Sequence, residues 1–511
     1  MADDSKSNYV LYNRVGLFLG PIAAIAFFLS PTPEGMSPEG QRCGAVAILM
    51  AIWWLTEALP LAGTALIPIA LFPLLGIISS RDVTAAYGDR NIFLFAGGFF
   101  IAMAIQKWNL HERIALNIVY RVGTHLSRLV LGFMIASAFL SMWISNTATS
   151  LMMLPIALAV IDQLEKRLSA ASTQTFNVCL LLGIAYACSI GGISTLIGTP
   201  PNIVFIAQYE GLFPDAPTVG FLQWMMVGVP LMVVFLAVAW LLLTKVLFRC
   251  PDVKDPAVSA EIDRRLHDLG PASRGEWVVA TVATMTGLAW IFRSDIEIGS
   301  FVIPGWGDLA YVPAFVDDST VAIFAAALLF VIPIDWKKGD FALDWDWAKR
   351  IPWGILILFG GGLALAKAFA DTGLVDWLGG KLTLLDGLPG VVVVFCVAIM
   401  LTFLTELTSN TATTSVMRPM LVGAAAPALG LNPLLVMIPA TISASCAFMM
   451  PVATPPNAVV FGSDRLTIPQ MARAGIVLNL IGTLLVTAIV YFVALPVFGI
   501  EPNVVPDWAT P

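Results

Sequence analysis

Ser145-Asn146-Thr147-Ala148-Thr149 interrupts an apolar run at about 129–160, and Ser409-Asn410-Thr411-Ala412-Thr413 interrupts a second at about 390–429. The two pentapeptides have the same sequence and lie 264 residues apart. The same offset of 264 aligns Phe95-Ala96-Gly97-Gly98 with Phe359-Gly360-Gly361-Gly362, and Leu110 with Leu374. Farther along, Gly198-Thr199-Pro200-Pro201-Asn202 aligns with Ala453-Thr454-Pro455-Pro456-Asn457 at an offset of 255. The chain is thus built from two copies of one plan. In each copy a polar pentapeptide divides an apolar run into two half-length helices. A Thr-Pro-Pro-Asn then breaks another run, because proline has no N–H to continue a helix.

The bulk composition says where such runs belong. The chain has 511 residues, 58% hydrophobic and 12% charged, against about 25% charged in soluble domains. So few charges leave apolar surface that must face lipid. Other runs fall at about 15–30, 44–58, 61–78, 92–106, 174–208, 221–248, 276–292, 319–334, 353–370, 433–462 and 474–498. A spanning helix takes about 20 apolar residues. The expected fold is an all-α polytopic membrane protein with about eleven transmembrane helices and two re-entrant helical hairpins, the divided runs. The acidic N-terminus has no cleavage site of the small-residue kind, so the first run is expected to span. The net charge of −7 gives no basic footprint for nucleic acid. Six scattered cysteines form no C-x-x-C pair and are expected to be small buried residues.

Charge placement tests this topology. With the N-terminus cytoplasmic and both divided runs re-entrant, the C-terminus lies outside. Of 27 Lys and Arg, 20 then fall in cytoplasmic segments and five outside (Arg42, Arg81, Arg90, Arg293, Lys381), with Lys367 and Arg418 inside apolar runs. Making either hairpin a full span would flip every later segment and degrade the bias. The two copies are therefore expected to be inverted, an arrangement that puts a binding site near the bilayer midplane. The stretch 107–128 reads as an amphipathic helix on the cytoplasmic surface, and 249–275 as a charged linker.

The polar clusters carry hydroxyls and an amide but no formal charge. A helix starting at such a break points its N–H groups outward, which favours an anion. Carbonyl and Ser, Thr or Asn oxygens suit a hard cation. A single Ser-Asn-Thr is more often a helix cap; two copies in register, each followed by Thr-Pro-Pro-Asn, argue for a site. Glu406 sits where the first copy has Met142 and is expected to make a structural hydrogen bond rather than bind a cation. Lys367 and Arg418 are expected to snorkel or pair. The glycine turns are expected to allow close helix packing, and His111, His125 and His267 to be solvated. No H-E-x-x-H or paired-acid motif suggests an enzyme.

These motifs resemble the divalent anion/sodium symporter family, over nearly the whole chain. Ser141-Met142-Trp143-Ile144-Ser145-Asn146-Thr147-Ala148-Thr149 is similar to its first hairpin. Thr405 to Thr414 is similar to its second, and Phe448 to Val460 to its signature. The resemblance implies a sodium-coupled symporter importing C4-dicarboxylates (succinate, malate, fumarate) in the inner membrane. Exchange without sodium, or symport of citrate or another divalent anion, is the alternative. It implies a homodimer, an elevator motion and at least two Na+ sites. One would use Ser141, Ser145, Asn146 and Gly198, and the other Thr405, Thr408, Asn410 and Ala453. Substrate would touch Ser145, Asn146, Thr147, Thr199, Pro200, Ser409, Asn410, Thr411, Thr454 and Pro455. Scaffold helices would occupy 1–90, 221–275 (with the linker) and 276–352, and the hairpins and broken helices 91–220 and 353–511. Arg418, where the first copy has Leu154, departs from the expected apolar residue.

Overall fold

The computed structural model describes residues 11–509 apart from 124, 167–168, 252, 254–255, 299–300, 375–376, 378–388, 409, 412, 415–429 and 503. The chain opens with α1 (Leu11–Leu29) packed on α2 (Pro38–Leu55). Ser37 caps α2 by accepting from the Gly40 N–H at 2.9 Å. The run at 61–78 is not one regular span. It forms α3 (Leu61–Thr64) and α4 (Ile67–Leu74), because Pro68 and Pro73 remove backbone donors. After α5 (Ser80–Ala86) come α6 (Arg90–Lys107) and α7 (Leu110–Val122). The last is the amphipathic helix expected over 107–128, with Leu110, Ala115, Leu116 and Val119 buried.

The first divided run is α8 (Leu126–Ser141) and α9 (Asn146–Glu165), separated at 142–145. The first broken run is α10 (Ala170–Gly192) and α11 (Pro200–Leu212). Then come α12 (Phe221–Leu241), α13 (Pro256–Asp268), α14 (Arg274–Ile291), α15 (Asp318–Val331), α16 (Trp345–Ala348) and α17 (Trp353–Asp371). The second copy runs α18 (Gly390–Leu404), which stops before Thr405, then α19 (Leu434–Ser443), α20 (Pro455–Phe461), α21 (Ile468–Ile489) and α22 (Leu495–Phe498). Among the described residues six helices are long and apolar enough to cross a membrane by length and composition. Two short antiparallel strand pairs, Ile296–Ile298 with Phe301–Ile303 and Pro333–Asp335 with Asp340–Phe341, decorate the loops on either side of α15.

The repeat is visible in three dimensions. Phe95 and Phe359, equivalent by the 264-residue offset, meet ring to ring at 5.9 Å. Helices α8 and α9 both lie along α10. Glycine sets several of these contacts. A Cβ on Gly97 would fall 2.6 Å from the Ala322 carbonyl carbon, and one on Gly361 2.6 Å from the Ala65 oxygen, so the expectation of close packing holds at these positions. Gly362, by contrast, faces open space. Two further glycines back the broken runs. A Cβ on Gly228 of α12 would lie 2.7 Å from Ser194 Cα, and one on Gly475 of α21 2.3 Å from the Phe448 oxygen. These neighbours are backbone and cannot yield as a flexible side chain does. Gly475→Ala is expected to lose roughly 1–3 kcal/mol through overpacking, seen as a lower thermal midpoint of purified protein; an unchanged midpoint would show that the break has room to move.

Within the stretch 249–275, which joins α12 to α14, α13 packs on α7 and α9. It buries Glu261, whose carboxylate accepts from Arg264 and Arg265 and is held below the ordinary carboxylate range by them. Of the histidines only His267 is exposed; His111 and His125 are half-buried, and His111 Nδ1 lies 3.4 Å from the Ile105 oxygen. Five cysteines are buried as expected, while Cys396 is exposed. Lys367 pairs with Asp371 at 3.0 Å, one turn away. Arg418, Lys381 and Lys6 lie outside the described residues.

Candidate functional site

Both copies close their tips in the same way. Ser145 is the N-cap of α9, its Oγ accepting from the Ala148 N–H at 3.3 Å. The ordinary capping role is therefore real for Ser145. It leaves the first-turn N–H groups of Asn146 and Thr147 without partners inside the helix. Ser141 Oγ lies 2.6 Å from the Asn146 side-chain amide and 2.7 Å from the Cys188 oxygen. In the second copy Thr405 Oγ1 lies 2.6 Å from Asn410 Oδ1 and 3.0 Å from the Ala444 oxygen. Two hydroxyls 264 residues apart thus hold two equivalent amides.

The Asn146 side chain has an unusual surround. The oxygen and nitrogen of a side-chain amide are told apart by their hydrogen bonds, and the atom that faces Ser141 Oγ, the Cys188 oxygen at 3.1 Å and the Gly198 oxygen at 3.3 Å is the nitrogen, which donates to them. One hydroxyl and two carbonyl oxygens thus converge beside the tip, oxygens of the kind a hard cation takes. Space is tight: a Cβ on Gly192 would meet the Asn146 amide at 2.4 Å, and one on Gly198 would meet the Gly192 oxygen at 2.5 Å.

The broken runs are stitched by equivalent asparagines. Asn202 Nδ2 donates to the oxygens of Gly192, Ile193 and Thr195. Asn457 Nδ2 donates to those of Ala447 and Met450. The Oδ1 atoms of both are buried without a partner among the described residues, as is Thr454 Oγ1. Thr199 and Thr454 are N-caps in extended backbone, followed by two prolines. The first two positions of α11 and α20 consequently offer no N–H. The Thr-Pro-Pro-Asn breaks lack two backbone donors, as their sequence requires.

Of the residues expected at the first cation site, the structure brings together Ser141, Asn146 and Gly198. Ser145 is adjacent as the cap. At the second it joins Thr405 to Asn410. Thr408 Oγ1 instead lies 3.0 Å from the Leu404 oxygen and 2.5 Å from Thr413 Oγ1. Ala453 is buried in the second break, its N–H donating to Met450. Among the expected substrate contacts, Thr199 and Thr454 are buried, Thr147, Pro200 and Thr411 half-buried and Pro455 exposed. Ser409 lies outside the described residues. The carbonyls of Cys188 and Ala444 were not anticipated, and no side-chain pattern marks a backbone oxygen.

The copies also interlock. α20, after the second break, packs on α9 and α10. Arg465 beyond it pairs with Glu165 and, at 2.8 Å, with Asp162 at the far end of α9. The two helices therefore run in the same direction from their breaks.

Glu406 bears out the structural reading. Its carboxylate accepts from the N–H groups of Phe448, Met449 and Met450 at 2.6, 2.8 and 3.0 Å, and from Asn479 Nδ2 at 2.7 Å. It ties the second tip to the loop between α19 and α20. A polar cavity of about 240 Å³ lies at the other end of α11, lined by Arg90, Glu210, Arg293, Asp317 and Asp318. Arg90 pairs with Glu210 at 3.0 Å and Arg293 with Asp318 at 2.5 Å. Both cations are neutralised, so the seam binds helix ends together rather than offering charge to an anion.

A helical membrane chain with two divided and two broken helices, repeated, has the make-up of a secondary transporter. Similarity agrees. Residues 13–498 match the family model described as the sodium:sulfate symporter transmembrane region. The chain belongs to that family, the divalent anion/sodium symporters its motifs resemble. It is 40% identical over 501 residues to the sodium-dependent dicarboxylate transporter SdcS of Staphylococcus saprophyticus, covering 97% of this chain and 94% of that one. It is 43% identical over 494 residues to SdcS of Staphylococcus aureus strain RF122, covering 96% and 92%. In fold it is similar to the Alcanivorax borkumensis YdaH transporter, at TM-score 0.51 and 15% identity over 96% of this chain and 98% of that. It also resembles Neisseria gonorrhoeae MtrF, at TM-score 0.54 and 12% identity over 98% of each.

Proposed function

We propose that this protein is a sodium-coupled symporter that imports C4-dicarboxylates such as succinate, malate and fumarate. The observation that carries the proposal is the convergence of Ser141 Oγ and the Cys188 and Gly198 carbonyls on the Asn146 amide, matched by the Thr405–Asn410 pair and set beside the names of two nearly full-length relatives. Sodium is cargo here, with at least two sites. Ser141, Ser145, Asn146, Gly198 and the Cys188 carbonyl serve the first. Thr405, Thr408, Asn410, Ala453 and the Ala444 carbonyl serve the second.

The substrate dianion meets the first-turn N–H groups of Asn146 and Thr147, those of Asn410 and Thr411, and the hydroxyls of Ser145, Ser409, Thr199 and Thr454. Pro200 and Pro455 supply its apolar walls. Dipolar donors alone hold two negative charges poorly, so the cations offset the repulsion, and substrate binds after them. Inverted repeats and mutually packed breaks support an elevator movement of both tips against a scaffold, in a homodimer within a bacterial inner membrane, with the N-terminus cytoplasmic. More than two sodium ions per dianion makes import electrogenic, each net charge gaining about 2.3 kcal/mol per 100 mV.

The test is uptake of labelled succinate into proteoliposomes with inward sodium, potassium or choline gradients and no internal substrate. Uptake driven by sodium alone, and raised by an inside-negative potential, is expected. Uptake indifferent to sodium but dependent on preloaded dicarboxylate would make the protein an exchanger. Sodium-driven uptake of citrate, with succinate excluded, would move the substrate class.

A further inference from the structure

An apolar cavity lies apart from the polar site. It occupies about 330 Å³ between α6, α7, α8 and α14, beside the first tip. Its walls include Gly98, Leu140, Trp143, Ile144, Gly287 and Trp290. Its lining is almost wholly apolar, and of its two threonines, Thr284 and Thr286, the latter donates to the Val282 oxygen at 2.7 Å. An apolar cavity stays dry and takes up apolar ligands, and one of roughly 150 Å³ already holds benzene. The mouth shows where an occupant comes from. It is edged by Phe139 and Leu288, each 42% exposed, with Met285 beside them at 59%. Exposed apolar side chains on a membrane helix face hydrocarbon, so the cavity is continuous with the lipid-facing surface.

We propose that a phospholipid acyl chain from the surrounding bilayer seats in this cavity, wedged between α14 and the residues that lead into Ser145. The headgroup stays outside. The inference rests on the membrane reading of the chain and not on what it carries. Trp143 stacks on Phe221 at 6.4 Å, and Phe221 on Trp290 at 4.5 Å, so an inserted chain lies against a ring system that joins the tip to α12 and α14.

The test uses the full chain reconstituted in phosphatidylcholine vesicles holding a phospholipid with a mid-chain diazirine, with photo-adducts mapped by peptide sequencing. Leu140, Ile144 and Trp290 are only 2–3% exposed, so lipid on the outer surface does not reach them. Adducts on these three are expected, together with adducts on the outward residues Phe18 and Ile22 of α1. Ala283→Phe fills the cavity and should abolish the inner adducts while leaving those on α1. If that variant misfolds, Gly287→Ala reports instead: its Cβ meets Trp143 at an ordinary 3.6 Å and should reduce the inner adducts. Labelling confined to Phe139, Met285 and Leu288 in the unaltered protein, or inner adducts that survive both substitutions, overturns the proposal. Failure of sodium-driven succinate uptake would leave it standing.

Discussion

Asn146→Ala and Asn410→Ala are each expected to abolish concentrative uptake at millimolar sodium, with partial return at much higher sodium. Each asparagine does two jobs. Its side chain links the hydroxyl of Ser141 or Thr405 to the tip, and its N–H begins a helix that faces the anion. A hydrogen bond to a charged partner contributes roughly 1.5–3 kcal/mol. At about 1.4 kcal/mol per decade, losing one such oxygen lowers sodium affinity roughly 10- to 150-fold. With two coupled cations the loss carries over to substrate, because the dianion binds after sodium. Sodium titrations of succinate uptake measure this directly: the half-saturating sodium concentration should rise in both variants. Asn146→Asp is the informative companion. It keeps Oδ1 but cannot close the tip through Nδ2, so it should retain sodium binding better than alanine does. Normal uptake with unchanged sodium dependence in either alanine variant would remove the site from these residues.

The sequence shows where helices stop far better than what closes the gaps. Pro200, Pro201, Pro455 and Pro456 each remove a donor, so a break there follows from chemistry alone, and α11 and α20 begin at those prolines. The division of 129–160 and 390–429 was legible for a related reason: a polar pentapeptide at membrane depth has to be accounted for, and its repetition doubled the signal. The partners of the breaks come from elsewhere in the chain. Asn202 and Asn457 stitch to carbonyls seven to ten residues back, and carbonyls have no sequence signature. Gly228 and Gly475 look like any small residue in an apolar run until the backbone of Ser194 or Phe448 is seen against them. Charge within 249–275 says nothing of burial: Glu261 meets Arg264 and Arg265 on its own helix and so can be buried.

Glu406→Ala is expected to be the most destabilising single change near the site, and it separates structure from coupling. The carboxylate accepts four hydrogen bonds, three of them from consecutive backbone N–H groups. A buried donor left unpaired costs about 1–3 kcal/mol. Several at once should lower the thermal midpoint of purified protein steeply and reduce its yield. The first copy manages without such a carboxylate. There Met142 takes the position, its carbonyl accepts from Thr195 Oγ1 at 2.5 Å, and Trp224 Nε1 reaches the Ile193 oxygen at 2.9 Å. The two tips are therefore alike in their asparagines and unlike in what holds the loop behind them. If Glu406 is structural, the fall in midpoint is the same in sodium and in choline, and Asn479→Ala gives a smaller fall of the same kind, since it removes one donor of four. If the carboxylate instead ligates a cation, the unaltered protein is stabilised by sodium and Glu406→Ala cancels that stabilisation while leaving the choline midpoint in place. Geometry favours the first outcome, because both carboxylate oxygens are already engaged by backbone donors.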